Sequence, residues 1–201
     1  MSDLKTIVSE AGSGPEFARL YVEHLVEVLR GVDYESVGRV IDLFVEARGR
    51  DNTIFFMGNG GSAATSSHFA NDLSVCASPE GRPRFRSLSL TDNSAYITCL
   101  ANDFGYESVF SRQLRNLMRP RDVVVGISAS GNSPNVVQGL EFAAQNGGIP
   151  VAIVGFDGGR MKQVAQHVIH VQTKKGEYGP VEDVHMVLDH MISNYLATMS
   201  E

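Results

Sequence analysis

The chain has no tryptophan and only two cysteines among its 201 residues. Cys76 and Cys99 sit in apolar or loop contexts, so a disulfide framework is excluded and the thiols read as incidental. Long hydrophobic runs are missing as well. No stretch approaches the roughly 18 apolar residues that a membrane-spanning helix needs, which argues against a membrane partner. The opening MSDLKTIVSEAGSGPE is polar and acidic, without the basic flank and apolar stretch of a signal peptide, so the expected location is cytoplasmic. Nor is there an excess of positive charge: the formal net charge of −6 argues against nucleic acid as the main partner. The densest basic stretch, Arg82-Pro83-Arg84-Phe85-Arg86, crosses a Pro- and Gly-containing loop. It reads either as a solvated loop or as a guide for an anionic substrate. Internal repeats and low-complexity segments are absent.

What is present is enough apolar material for one sizeable core, at 43% hydrophobic and 20% charged residues. A single domain over 1–201 is therefore expected, with a helical pair in 1–50 and an α/β core in 51–201. The first helix starts at Gly14-Pro15-Glu16, with proline at its first position, and the second is capped by Asp33. Beyond Asn52 the pattern changes. Thr53–Met57, Arg86–Leu90, Val123–Ile127, Val151–Val154 and Val168–Val171 read as strands, most of them hydrophobic throughout, as in a sheet covered on both faces. Helical stretches near 62–73, 94–118 in two pieces, 134–146 and 158–166 separate them, and a last helix covers about 180–199. This alternation predicts a doubly wound, five-stranded parallel α/β sheet with two N-terminal helices and a long C-terminal helix. In such a sheet ligands bind beyond the carboxyl ends of the strands, so the loops that follow strands carry the interest.

The first such loop is Gly58-Asn59-Gly60-Gly61-Ser62, between a strand and a helix. Its glycines let backbone N–H groups approach a ligand, and the helix N-terminus favours an anion. With Ala63 it also fits G-x-G-x-x-A, but the acidic partner of a dinucleotide site belongs about 20 residues on, and Asp92 lies too far along. The second loop, Ser128-Ala129-Ser130-Gly131-Asn132-Ser133, follows a strand, and Pro134 opens a helix. Three hydroxyls, free N–H groups and a helix dipole converge there, which is how a phosphate is held without a lysine. A hydrolase nucleophile elbow needs G-x-S-x-G, and the segment reads G-I-S-A-S.

A third constellation is titratable. His68 and Asp72 stand at i and i+4 on the helix after the glycine loop and share a face. The last helix carries Glu182, Asp183, His185 and His190. Two helices that each pair histidine with a carboxylate point to acid–base or metal chemistry, whereas His24, His167 and His170 read as structural or surface groups.

Taken in order and spacing, GNGGSAATSSHFANDL, LANDFGYESVFSRQL, ISASGNSPNVV and VEDVHMVLDH resemble the phosphoheptose isomerase family, of the sugar isomerase (SIS) fold. The resemblance runs over nearly the whole chain. It implies an aldose–ketose isomerase that converts sedoheptulose 7-phosphate to D-glycero-D-manno-heptose 7-phosphate through an enediol. It further implies Asp72 and His190 as the catalytic pair, and substrate contacts from Asn59, Gly60, Gly61, Asn102, Asp103 and Glu182. The phosphate falls to Ser128, Ala129, Ser130 and Ser133. A zinc ion falls to His68, Asp72, Glu182 and His190. The implied assembly is a homotetramer with sites formed between subunits. Two positions depart from the family pattern: Asp72 stands for its usual glutamate and Glu182 for its usual glutamine. An added carboxylate strengthens a divalent-cation site, but beside an anionic sugar without metal it repels or holds a proton. The alternatives are an SIS-fold isomerase of another ketose phosphate, or a non-catalytic sugar-phosphate-binding or protein-binding module. Retention of His190 and Ser130 favours the enzyme.

Overall fold

The computed structural model describes residues 4–199; the first three and last two residues of the expected domain lie outside the described residues. The expected helical pair is present as α2 (Gly14–Arg30) and α3 (Tyr34–Gly49), and is preceded by a short α1 (Leu4–Glu10) that the periodicity did not reveal. Of α1, Ile7 is buried, and the Leu4 N–H donates to the Glu177 carboxylate, a partner 173 residues away. Asp33 caps α3 by accepting from the Glu35 N–H at 3.0 Å, as its residue type and place predict.

The core then alternates strand and helix: β1 (Thr53–Met57), α4 (Gly61–Val75), β2 (Arg86–Ser89), α5 (Ser94–Phe104), α6 (Val109–Leu117) and β3 (Val123–Ser128). It continues through α7 (Pro134–Gln145), β4 (Ile149–Val154), α8 (Met161–Val164), β5 (His167–His170) and α9 (Tyr178–Thr198). Among the described residues the strands form one five-stranded sheet in the order β2-β1-β3-β4-β5, every neighbouring pair parallel. The α8 segment is shorter than the 158–166 expected. Gly158 and Gly159 adopt φ of 87° and 53°, outside the right-handed helix region, and keep the chain in a loop.

Successive β1 residues serve opposite faces of the sheet. Ile54 and Phe56 join a cluster with Val28, Phe44, Phe69 and Leu188, while Phe55 and Met57 join Val109, Leu114, Leu140 and Met161. The first face thus seats α3, α4 and α9, and the second α5 to α8. Phe56 is the hub of the first face, stacked on Phe69 at 4.7 Å between ring centroids and edge-on to Phe44 at 6.2 Å. At the opposite end of the strands, buried Asp122 accepts from the backbone N–H groups of Thr53 and Arg119, at 2.8 and 2.7 Å.

Arg82 of the basic stretch donates to the carbonyls of Ala197 and Met199 and so closes the end of α9, and Arg86 pairs with Asp51 at 2.9 Å. Both guanidinium groups thus serve as structural ties within the chain.

Replacing Phe56 by Ala should cost about 3–5 kcal/mol, because an aromatic ring wholly excluded from water leaves a cavity that its ring partners cannot refill. Urea denaturation of the variant against the parent measures it; a loss below about 1 kcal/mol would mean that this face is loosely packed.

Candidate functional site

In the order 2-1-3-4-5, β1 is followed by a connection to one side and β3 by a connection to the other, so a crevice opens beyond their carboxyl ends. The glycine loop leaves β1 there and the serine loop leaves β3. A reciprocal amide pair ties them: Asn59 Nδ2 donates to Asn135 Oδ1, and Asn135 Nδ2 donates to Asn59 Oδ1, each at 2.9 Å. Asn135 is buried in the first turn of α7, and its Oδ1 also accepts from the Val136 N–H. The Tyr106 hydroxyl adds a third bond to Asn59 Oδ1 at 2.8 Å, reaching in from the turn after α5. Neither Asn135 nor Tyr106 was singled out in the sequence, where a proline-initiated helix and a lone tyrosine carry no signal.

The glycine loop needs its glycines for two different reasons. A Cβ on Gly58 would stand 2.6 Å from the Ser62 carbonyl oxygen, so the first turn of α4 closes directly on that residue. A Cβ on Gly61 would collide with the Glu182 carboxylate. Glu182, from the first turns of α9, therefore lies over the N-terminus of α4, where the unpaired N–H groups and the helix dipole favour its charge. Gly60, at φ 53°, has open space where its side chain would be.

In the serine loop, Ser128 Oγ lies 3.2 Å from Ser133 Oγ and 3.5 Å from Ser130 Oγ. The N–H groups of Gly131 and Asn132 donate to Ser128 and Ser130. Ser133 occupies the N-cap of α7 without making the usual side-chain cap bond, so its hydroxyl remains available to a ligand. Gly131 adopts φ 64°, and a Cβ there would collide with the Gly158 carbonyl; the loop after β4 closes in behind the serine loop. Beside it is a cavity of about 270 Å³, lined by Ser130, Asn132, Asp157, Thr173 and Lys175 among others. Ala129, within this loop, is buried.

The titratable constellation forms where α4 packs against α9. The Nε2 atoms of His68 and His190 face each other at 3.1 Å, with the rings edge-on, and His68 Nε2 lies 3.5 Å from Asp72 Oδ2. His68, Asp72 and His190 are brought together as the spacing on the two helices predicts. The fourth member of the group is Asp189, whose carboxylate joins the three others so that all four candidate donor atoms lie within 4.8 Å of one another. Glu182, expected among the metal donors, is outside this group and over Gly61 instead. Two imidazole nitrogens turned toward each other, with carboxylate oxygens beside them, are a donor set that fits a divalent transition-metal ion.

Asn102 and Asp103 end α5 on the surface. The Asn102 amide donates to Asp103 Oδ1 at 2.8 Å and the Cys99 thiol donates to Asp103 Oδ2 at 3.7 Å. Within one chain these two residues are linked to the glycine loop only through the neighbouring turn that carries Tyr106.

Two buried groups on α9 set the local electrostatics. Asp189 is fully buried, and desolvation pushes its carboxyl up to about 7; the Ser193 hydroxyl opposes that rise, the Asp72 charge adds to it and His190 counters it. His185 is equally enclosed, with neither ring nitrogen in a well-formed hydrogen bond, and burial pulls it down to about 4, the nearby Val154 backbone offsetting only part of that fall. The chain thus keeps a neutral imidazole beneath the site, and the sequence pattern had grouped it with the reactive histidines.

Residues 19–155 match the family described as SIS domain. The phosphoheptose isomerase of Akkermansia muciniphila is 41% identical over 160 residues, covering 80% of this chain and 82% of that one. A probable phosphoheptose isomerase of Thermoplasma acidophilum is 36% identical over 175 residues, covering 87% and 94% of the respective chains. Among solved structures, the phosphoheptose isomerase of Neisseria gonorrhoeae superposes with a TM-score of 0.84 at 26% identity, over 93% of this chain and 100% of that one.

The two buried groups on α9 make opposite demands on pH. His185, a base held below its unfolded value, leaves stability intact above about pH 6.5; below it the unfolded chain alone takes up protons, until the folded histidine titrates near 4. Asp189, an acid held above its unfolded value, contributes in full at low pH and loses its contribution as pH rises toward 7. Substituting Leu for His185 removes the first slope alone. The stability of the parent relative to His185→Leu should fall by about 2–3 kcal/mol between pH 7 and pH 4.5, read by urea denaturation at both values. An unchanged difference would mean that the imidazole is protonated or hydrated in the folded chain.

Proposed function

This chain belongs to the SIS domain family and, within it, to the phosphoheptose isomerases, and on that premise we propose that it interconverts sedoheptulose 7-phosphate and D-glycero-D-manno-heptose 7-phosphate through an enediol. The observation that supports the reading is the meeting of Asp72 and His190 where α9 packs on α4, the helix that leaves the glycine loop.

The chemistry moves one hydrogen between adjacent carbons and needs a base for carbon and a proton shuttle for oxygen. In the ketose-to-aldose direction the Asp72 carboxylate takes a proton from C1. The electron pair left behind forms the C1–C2 double bond, and the C2 carbonyl oxygen takes a proton from His190. His190 then recovers a proton from the C1 hydroxyl as the C1 carbonyl forms, and Asp72 returns its proton to C2. Both groups end as they began. Asp72 is one methylene shorter than glutamate; its Oδ2 lies 3.5 Å from His68 Nε2, and its Oδ1 accepts from the Asn71 amide at 3.4 Å.

The phosphate belongs in the serine loop, where the Ser128, Ser130 and Ser133 hydroxyls and the N-terminus of α7 supply donors and a favourable dipole. Binding energy collected there, remote from the reacting carbons, positions C1 and C2. Asn59, Gly60, Gly61 and Glu182 border the sugar, with Asn102 and Asp103 at its far side. His68, Asp72, Glu182 and His190 are the zinc donors that the resemblance implies; a bound divalent cation supplies polarisation of the two sugar oxygens. No helix among the described residues is long and apolar enough to cross a membrane, and a cytoplasmic homotetramer belongs to the same reading. The exposed Val22 and Val26 along α2 supply apolar surface for such an assembly.

His190→Gln should lower turnover of sedoheptulose 7-phosphate about 10²–10⁴-fold, the usual contribution of a positioned acid–base group, while sugar-phosphate binding persists. Ser130→Ala should instead weaken binding and leave the turnover number largely intact. Conversion followed by NMR, with and without added zinc, reads both. Normal turnover in the His190 variant would remove the mechanism, and binding without conversion in the parent protein would point to another ketose phosphate or to a binding module.

A further inference from the structure

We infer that Asp189, and not Glu182, is the second carboxylate donor of a divalent-cation site formed with His68, Asp72 and His190. The inference rests on reading this cluster as a cation centre and is independent of which sugar is isomerised.

The position of Asp189 is unusual for a carboxylate. It is fully buried at the interface between α4 and α9, among residues such as Leu73, Leu188 and Ile192 that form the apolar core. Its Oδ1 accepts from the Ser193 hydroxyl at 3.1 Å, and its Oδ2 has no hydrogen-bond partner. An unpartnered oxygen shut away from water costs about 1–3 kcal/mol, and more when it carries charge. A leucine would fit the helix pattern at this point without that cost. The carboxylate is nevertheless held where one of its oxygens shares a 4.8 Å sphere with donor atoms of His68, Asp72 and His190. Its neighbours are another carboxylate, Asp72, and the His68 imidazole on α4, with the His190 imidazole beside it on α9. A cation is the partner this arrangement calls for. Two imidazoles and two carboxylates are a donor set suited to a divalent ion, and the two carboxylates cancel its formal charge.

Glu182 is left with different work. Its carboxylate lies against Gly61 at the N-terminus of α4, near the backbone that borders the sugar, and outside the four-donor group. A glutamate there is compensated by helix dipole and backbone N–H groups without a metal.

The test uses the full chain stripped with EDTA, with zinc and then cobalt(II) as probes. Calorimetric titration should show one zinc site per chain. Asp189→Asn should weaken it by at least about 100-fold, more than loss of an outer partner of a ligand brings, whereas Glu182→Gln should leave the affinity unchanged. The visible spectrum of bound cobalt should change with Asp189→Asn and stay the same with Glu182→Gln. Asp189→Leu guards against a merely structural role: its metal-free form should unfold at the parent's temperature or above, and zinc should no longer raise that temperature. Parent-like zinc affinity in Asp189→Asn, loss of affinity confined to Glu182→Gln, or no zinc binding by the parent would each overturn the assignment. Because every readout is binding, absence of heptose turnover in the same samples would count against the proposed reaction and leave this inference standing.

Discussion

Parallel strands cannot be joined by tight turns, so each strand must hand the chain to a crossover that returns along one face of the sheet. In this molecule the crossover after β1 goes one way and the crossover after β3 goes the other, and the two strands are neighbours. The parting of those two chain segments creates the crevice, and everything chemical is arranged around it. Two helix N-termini face the opening, one from the glycine loop and one from the serine loop, before any side chain is specified. The Asn59–Asn135 amide pair then fixes the distance between the two loops. It binds the walls of the crevice without adding a charge, and while Glu182 lies over the α4 N-terminus, the anion-seeking character of the α7 N-terminus is left for a ligand.

The acid–base half of the site obeys a separate constraint. His68 and Asp72 are carried by α4, while Asp189 and His190 are carried by α9, the last long element of the chain. Their encounter depends on apolar packing: Phe69 and Leu73 of α4 and Leu188 and Ile192 of α9 belong to the same core cluster as Phe56 of β1. Stability and chemistry therefore draw on the same helical faces. The polar edge of each helix is delivered to the partner only because its apolar edge is buried beneath it.

Much of this was legible in the residues, and the reasons are physical. Buried parallel strands read as unbroken hydrophobic runs, so β1 appeared with its bounds correct and β3 to within a residue. The start of β4 was missed by two residues because Pro150 lacks an N–H, yet its carbonyl still accepts from Gln166 on the β5 side. The short α1 escaped because its anchor is a contact with Glu177 near the other end of the chain. At the site, helical spacing was enough to join His68 with Asp72, hydroxyls ahead of a proline-opened helix marked the serine loop, and the resemblance singled out His190 among the histidines of the last helix. Asp189 was invisible because a residue beside a histidine on a helix points about 100° away from it, and only the packing of α4 turns that direction inward. The placement of Glu182 was illegible for a related reason: its partner is the missing side chain of Gly61, and an absence leaves no pattern.

The guanidinium of Arg82 reaches from the loop after α4 to the last carbonyls of α9, far along the chain from the crevice. That tie joins α4 and α9 into one clamp, meeting at the histidine cluster and fastened at the other end by the Arg82 guanidinium. Loosening the fastening would let α9 fray from its terminus, and the fray would travel toward His190 one turn at a time. Local opening of the last helix and dispersal of the His68–His190 cluster are then one event, so the lifetime of that cluster is governed in part from the loop that carries Arg82.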